Sequence, residues 1–233
     1  MRRFGMLICA AVAIAPSVVA ADLTPAEALA KTLAKMDEAA ARFKGFSAQL
    51  ERVSHQDAIH EHEIETGKIL VKRLKGKDLH VRIEFEKPES KLAVFNGNKV
   101  EVYYPKSGLI QTYELGRSKS MVDVLVALGF GGNSKDLLKD YTVELGGPET
   151  VAGEITTRLQ LIPKTQIMLE QYKRVELWIS DKSGYTVRQK FYPSGKDYDQ
   201  ATYTNVKSNV DVPDSAFRLE PPKGTKRETV IKK

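Results

Sequence analysis

The order of hydrophobic and polar positions divides the chain at Gly45. Before this glycine, apolar side chains recur every three or four residues, which predicts one amphipathic helix of about twenty residues; these side chains are Leu29, Leu33, Met36, Ala40 and Phe43. Thr24, Pro25 and Glu27 form a capping-box sequence at its start. A helix with a single apolar face must pack against another apolar surface.

After Gly45 the apolar residues alternate with polar ones, which is typical of half-buried β-strands. This pattern predicts about eleven strands, with Asn96 and Gly97 in one hairpin turn and a second turn at 146–148. The strands are predicted over 46–50, 69–73, 79–85, 92–95, 100–104, 109–115, 141–145, 154–162, 172–180, 185–192 and 198–206. A sheet this wide is expected to curl around helices or to half-close into a barrel.

The alternation is interrupted in the middle of the chain and stops near its end. Apolar positions over 121–128 and 134–138 predict two short helices, with Asn133 or Ser134 capping the second one. No linker-like segment separates the elements, so we predict a single domain over 21–222. The basic residues 223–233 are predicted to form a flexible tail.

The first twenty residues have the three parts of an export signal. Arg2 and Arg3 precede an apolar stretch, and small residues end at Ala20. The apolar stretch of about a dozen residues falls short of the about 20 needed to span a membrane, so cleavage near Ala20 is expected. Cleavage removes Cys9, the single cysteine, and lowers the formal net charge of +6 by two. The remaining charge is mildly basic and lacks the basic stripe of nucleic-acid-binding proteins, so no nucleic-acid partner is predicted.

Residues that could carry chemistry are few. The sequence has no nucleophile-elbow, Walker or dinucleotide-binding motif, so we predict neither an enzyme nor a cofactor. His55, His60 and His62 lie within eight residues, and on a strand two of them could act as zinc ligands. The alternative is a solvent-exposed hairpin end, which the surrounding polar residues favour, so no metal site is predicted. His80 is expected on the exposed face of its strand.

Arg73 is unusual because it shares the apolar face of its predicted strand with Ile69 and Val71. A guanidinium on an inner face must find hydrogen-bond acceptors there. The alternative is an arginine at the rim of the sheet that extends to water.

Several short motifs follow one another along almost the whole chain after the export signal. They are the strand from Gly67 to Arg73, the hairpin over 92–105, the strand end Leu159–Lys164 and the closing segment 217–224. In this order they resemble the LolA family of periplasmic lipoprotein carriers. Leu74 departs from the family pattern, which has proline at this position.

The resemblance implies a mainly β fold of the α+β class. It is an unclosed antiparallel β-barrel whose concave apolar face is covered by the N-terminal helix and a short helical lid. The implied acyl-binding cavity is lined by Phe46, Leu50, Ile69, Val71, Leu79, Val81, Ile83 and Phe85. The implied lid residues are Met121, Val124, Leu125, Leu128, Leu137 and Leu138. Arg73 takes the place of the arginine that holds the lid closed through hydrogen bonds to lid carbonyls.

The resemblance also implies a function and partners. Acylated lipoproteins are the expected cargo, released by an inner-membrane ABC-type complex and passed to an outer-membrane acceptor. The expected location is the periplasm and the expected state is a monomer. The alternative is an envelope-stress or lipid-sensing module of the same fold that binds another hydrophobic ligand.

Overall fold

The computed structural model describes residues 23–74, 79–97, 99–114 and 132–230. These ranges contain three α-helices, α1 (Pro25–Arg42), α2 (Ser134–Asp140) and α3 (Gln166–Leu169), and 3₁₀ turns at Asp57–Ile59 and Asp214–Phe217. None of the helices within these ranges is both long enough and apolar enough to cross a membrane. The predicted export signal and the predicted helix over 121–128 lie outside the described residues.

The described residues form one sheet of twelve strands. The strands are β1 (Gly45–Gln56), β2 (Glu61–Arg73), β3 (Leu79–Lys87), β4 (Lys91–Asn96), β5 (Lys99–Tyr104), β6 (Leu109–Glu114), β7 (Tyr141–Val151), β8 (Glu154–Pro163), β9 (Arg174–Ser180), β10 (Thr186–Tyr192), β11 (Tyr198–Ser208) and β12 (Lys226–Val230). Their order across the sheet is β12-β6-β5-β4-β3-β2-β1-β11-β10-β9-β8-β7. Because β12 and β7 do not pair with each other, the sheet is not closed, and the predicted unclosed, mainly β architecture is confirmed.

Helix α1 begins as its sequence predicts. The Thr24 side chain accepts a hydrogen bond from the Glu27 backbone, and the Glu27 side chain accepts one from the Thr24 backbone, which completes the capping box. The helix lies against the turn before β10, where Gly184 has a φ of +75° and a Cβ would come within 2.4 Å of the Lys35 carbonyl oxygen. Only glycine allows this close approach without strain.

Two apolar clusters share the concave face of the sheet, and α1 contributes to both. Ala39 and the residue after the helix, Phe43, belong to a cluster with β1, β2 and β3. Met36 belongs to a second cluster with β8 and β9, and Leu29 and Leu33 pack against it. The helix therefore lies across both halves of the sheet.

A third apolar cluster lies on the convex face. The segment after β11 crosses β3 and β4, and its Val212 and Phe217 pack against Val94. The His80 ring lies 5.4 Å from the Phe217 ring. The expectation that His80 is simply exposed is therefore wrong, because this segment covers it and leaves it only partly accessible.

The turn predicted at 146–148 lies inside a strand instead. Strand β7 continues to Val151 through a bulge between Leu145 and Gly147. The chain turns at Ala152 and Gly153, whose φ angles are 51° and 82°. A bulge accommodates the extra residue and the glycine without ending the pairing.

The tail predicted to be flexible contains strand β12. Residues 226–230 pair in parallel with β6, and Arg227 Nη1 lies 2.7 Å from Glu101 Oε1 of β5. The prediction is wrong for these residues, because the unpaired backbone groups at the β6 edge offer partners to a segment with β-forming residues such as Thr229 and Val230.

Candidate functional site

A cavity of about 400 Å³ opens on the concave face. Strands β1 to β5 supply its apolar wall, and β10, β11 and the segment before β9 supply the opposite side. Its lining consists of Leu50, Arg52, Ile69, Val81, Ile83, Phe85, Lys91, Ala93, Phe95, Val102, Tyr104, Tyr172, Gln189, Phe191, Asp199, Gln200, Ala201 and Tyr203. The volume lies within the range of about 300–1,000 Å³ that is usual for small-ligand pockets.

Strand register explains why the apolar wall is continuous. Ile69 lies opposite Ile83 across β2 and β3, and Ile83 lies opposite Ala93 across β3 and β4. Residues in register on antiparallel strands point to the same face of a sheet. Opposite Phe85 lies Gly67, where a Cβ would come within 1.9 Å of the Glu84 carbonyl oxygen, so this point of the wall requires glycine.

The structure divides the eight predicted cavity residues into two groups. Leu50, Ile69, Val81, Ile83 and Phe85 lie on the cavity wall. The other three face the same side of the sheet and pack in the same apolar cluster without lining the cavity: Phe46 and Val71 are completely buried, and Leu79 is partly buried. The prediction that acyl chains bind to this wall stays a prediction.

The predicted lid residues are only partly within the described chain. Met121, Val124, Leu125 and Leu128 lie outside it. On α2, Leu137 is buried in the cluster of β8 and β9, and Leu138 is 42% exposed. Neither leucine lines the cavity, and Leu137 places α2 beside the cluster on β8 and β9.

Helix α2 is bound firmly to α1. Asp37 accepts hydrogen bonds of 2.6 Å from both the backbone nitrogen and the hydroxyl of Ser134. Asn133 caps α2 through a bond from the Asp136 backbone, as one of the two predicted caps. These contacts fix the point at which the chain returns from residues 115–131.

Arg73 contacts the C-terminal end of α1. Its Nη1 donates a 2.9 Å hydrogen bond to the Ala40 carbonyl oxygen, and its guanidinium carbon lies 5.2 Å from the centre of the Phe43 ring. Carbonyl groups at the end of a helix carry partial negative charge and attract cations. The predicted bonds from Arg73 to the lid involve residues outside the described chain, and they stay a prediction.

A network of charged residues occupies one end of the cavity. Arg52 Nη1 lies 2.8 Å from Glu65 Oε2, and Arg52 Nη2 lies 2.9 Å from Asp199 Oδ1. On its other oxygen, Glu65 is 2.5 Å from Lys91 Nζ. The Ser54 hydroxyl donates to the same Asp199 oxygen as Arg52.

Burial and charge shift the ionisation of groups in and around this network. Burial disfavours the charged form of Arg52, but Asp199 and Glu65 together raise its pKa above the ordinary value. Burial raises the pKa of the Tyr172 hydroxyl, and the Asp199 carboxylate raises it further. Burial also raises the pKa of the Tyr203 hydroxyl, which accepts a 2.7 Å hydrogen bond from Gln189 Nε2.

Sequence patterns did not identify this charged network as part of the site. Arg52 and Ser54 nevertheless alternate with Leu50 on β1 and therefore point to the same face. This is the same signal that drew attention to Arg73 on β2. Lys91 shows the same alternation with Ala93 and Phe95 on β4, as does Asp199 with Ala201 and Tyr203 on β11. That these charged side chains meet Arg52 at one end of the cavity depends on the pairing of β4 with β3 and of β11 with β1.

The three clustered histidines do not meet at one point. His55 and His62 lie opposite each other on β1 and β2, with ring centres 4.3 Å apart. His60 occupies the turn between the strands, with a φ of 53°. Across the described ranges, no group of three or more His, Cys, Asp or Glu side chains is arranged to hold a metal ion.

Comparisons with known proteins agree with this architecture. A conserved uncharacterized protein from Thermus thermophilus has a similar structure, with a TM-score of 0.54 and 13% identity over 87% of this chain and 99% of that chain. The structure of MucB is also similar, with a TM-score of 0.51 and 13% identity over 82% of this chain and 62% of that chain. At these identities the likeness shows a shared fold. No curated protein matches the sequence.

The family comparison covers the cavity itself. The model of the outer membrane lipoprotein carrier protein LolA matches residues 41–220. This range contains every strand from β1 to β11 and all residues that line the cavity. Because the match extends over well more than half of the chain, the protein belongs to the LolA family.

Proposed function

We propose that this protein is a periplasmic carrier, exported with cleavage near Ala20, that binds the acyl chains of lipoproteins and carries them from the inner to the outer membrane. The apolar wall of the cavity is the observation that supports this function. Burial of an acyl chain of about a dozen methylenes, at about 0.8 kcal/mol for each, supplies about 10 kcal/mol. This free energy is sufficient for binding, and carriage requires no catalytic step.

A carrier must also release its cargo. In our proposal the segment 121–128 covers the empty cavity, so that lid closure and cargo binding compete for the same apolar surface. In this proposal Arg73 favours closure through hydrogen bonds from its guanidinium to backbone carbonyls of the lid. An inner-membrane ABC-type release complex loads the carrier, and an outer-membrane acceptor takes the acyl chains from it.

The first test is to purify the protein from the periplasm of its own organism and identify bound lipid by mass spectrometry. Lipoprotein acyl chains in the bound fraction support the proposal. The second test loads the protein with one acylated lipoprotein and follows its movement to acceptor membranes. Binding without transfer contradicts the carrier function and favours a lipid-sensing module of the same fold.

A further inference from the structure

The cavity is not apolar throughout. Its wall on β2 to β5 consists mainly of aliphatic and aromatic side chains, but Arg52, Lys91 and Asp199 line one end. Glu65 lies behind them, and its side chain is only 4% exposed. A bound acyl chain can therefore direct one of its ends toward a polar surface.

The charges at this end cancel. Arg52 and Lys91 contribute two positive charges, and Glu65 and Asp199 contribute two negative charges at the short distances given above. An additional anion in this partly buried region must leave water and compete with carboxylates already in place, and such desolvation is unfavourable. The network therefore disfavours a ligand whose polar end carries a negative charge.

Arg52 and Lys91 nevertheless keep N–H donors that could bind a ligand. A guanidinium has five N–H donors and an ammonium has three, and the contacts to Glu65 and Asp199 engage two donors of Arg52 and one of Lys91. Gln189 also lines the cavity. Its Oε1 is buried and has no hydrogen-bond partner within the part of the chain that the structure describes, although buried polar atoms normally have one.

We infer that this polar end selects cargo whose acyl chain ends in an uncharged ester or amide group, and that Glu65 and Asp199 act as specificity residues that exclude free carboxylates. The inference rests on the proposed acyl-carrier function. Donors of Arg52 and Lys91 bind the ligand carbonyl oxygens. Removal of either carboxylate gives the site a net positive charge and should admit an anion.

The test compares two probes with the same acyl chain, lauric acid and its uncharged glycerol ester, monolaurin. Binding is measured by displacement of a fluorescent acyl probe at about pH 8, where an ordinary carboxylic acid is ionised. For the unmodified protein we expect monolaurin to bind about tenfold more tightly or better. For Asp199→Asn we expect the preference to shift toward lauric acid by about tenfold, which corresponds to about 1.4 kcal/mol.

Two further variants complete the design. Glu65→Gln should shift the preference in the same direction, and Asp199→Asn covers the case in which the buried Glu65 variant does not fold, since the Asp199 side chain is 44% exposed. Glu86→Gln is the matched control, because it removes an equal charge at an exposed ion pair with Lys68 and should leave the preference unchanged.

The outcomes separate the two proposals. Equal binding of both probes to the unmodified protein, or an unchanged preference in Asp199→Asn, overturns the charge-selection inference and leaves the carrier function intact. Failure of both probes to bind the unmodified protein contradicts the carrier function, and the inference fails with it.

Discussion

The two halves of the concave face have the same alternating sequence pattern but are filled differently. On β8 and β9, four inward side chains are completely buried: Leu159, Leu161, Val175 and Leu177. On β3 to β5, the inward side chains of Ile83, Phe95 and Val102 remain partly accessible and line the cavity. We refer to these regions as the filled half and the open half.

Within the described residues, α1 covers the two halves differently. The N-terminal part of α1 places Leu29, Leu33 and Met36 against the filled half, whereas only Ala39 and Phe43 reach the cluster beside the open half. Alternation thus determines which face of a strand is apolar, and the covering element determines whether that face becomes core or cavity wall.

The largest expected effect is on stability. Leu159→Ala in the filled half should lower the free energy of unfolding by about 2–5 kcal/mol, because it creates a void among close-packed side chains. Ile83→Ala in the open half should cost only about 1 kcal/mol, because its side chain already faces open space. Urea unfolding followed by the fluorescence of Trp178, the single tryptophan, measures both. Equal losses would show that the halves do not differ in packing.

The second prediction concerns Arg73, which contacts the C-terminal end of α1. Arg73→Leu removes a charged hydrogen bond to Ala40, and such bonds contribute about 1.5–3 kcal/mol before any reduction by solvent. In the proposed carrier mechanism Arg73 also favours lid closure, so we expect the variant to bind acylated cargo at least as tightly and to transfer it poorly. Arg73→Lys should restore transfer only in part, because an ammonium lacks the planar fork of donors.

The measurement loads the parent and both variants with one lipoprotein and follows its transfer to acceptor membranes. Transfer by Arg73→Leu at the parental rate would make Arg73 an ordinary rim residue.

The third prediction separates binding from folding in the open half. Ile83→Asp places an unpaired charge on the cavity wall and should weaken binding of a fluorescent acyl probe by about tenfold or more. Ile155→Asp makes the same change where the side chain is 66% exposed and should leave binding unchanged. Equal binding by the parent and Ile83→Asp would place the acyl site elsewhere.

The smallest expected effect lies at the start of α1. Thr24→Ala removes half of the capping box and should lower the free energy of unfolding by about 1 kcal/mol. Because this end of the helix covers the filled half, acyl-probe binding should not change. Thermal unfolding and probe titration of the same sample check both parts, and weaker binding would mean that the two halves are coupled through α1.

Local patterns were sufficient for most of the fold. The capping box, the apolar stripe of α1 and the strand alternation were predictable because each depends on neighbours in sequence. The strand over 226–230 was not predictable, because its charged residues form a strand only beside the exposed edge of β6. The partial burial of His80 likewise depends on Phe217, which is distant in sequence.

The same reasoning explains the mixed outcome for the site. Alternation placed Ile69, Val81 and Ile83 on the inner face, but it could not separate wall from core, because Val71 has the same pattern and is completely buried. The polar end was not predicted, because only strand pairing across the sheet brings Lys91 and Asp199 close to Arg52. Contacts between segments that are distant in sequence decide where these side chains lie, and such contacts cannot be read from the alternation within one strand.

The position of β1 in the sheet has a consequence for how the protein folds. Strand β1 lies at the centre, between β2 and β11, and the bonded residues Arg52 and Asp199 are 147 positions apart in sequence. Contacts between such distant residues form slowly, because a long loop must close before they stabilise the chain. Until β11 pairs with β1, one edge of β1 has unpaired backbone groups, and such an edge is prone to aggregation. The cavity is lined from both sides of this β1–β11 pairing, so it is among the last parts of the molecule to be completed, and a chain that is still folding has no complete cavity.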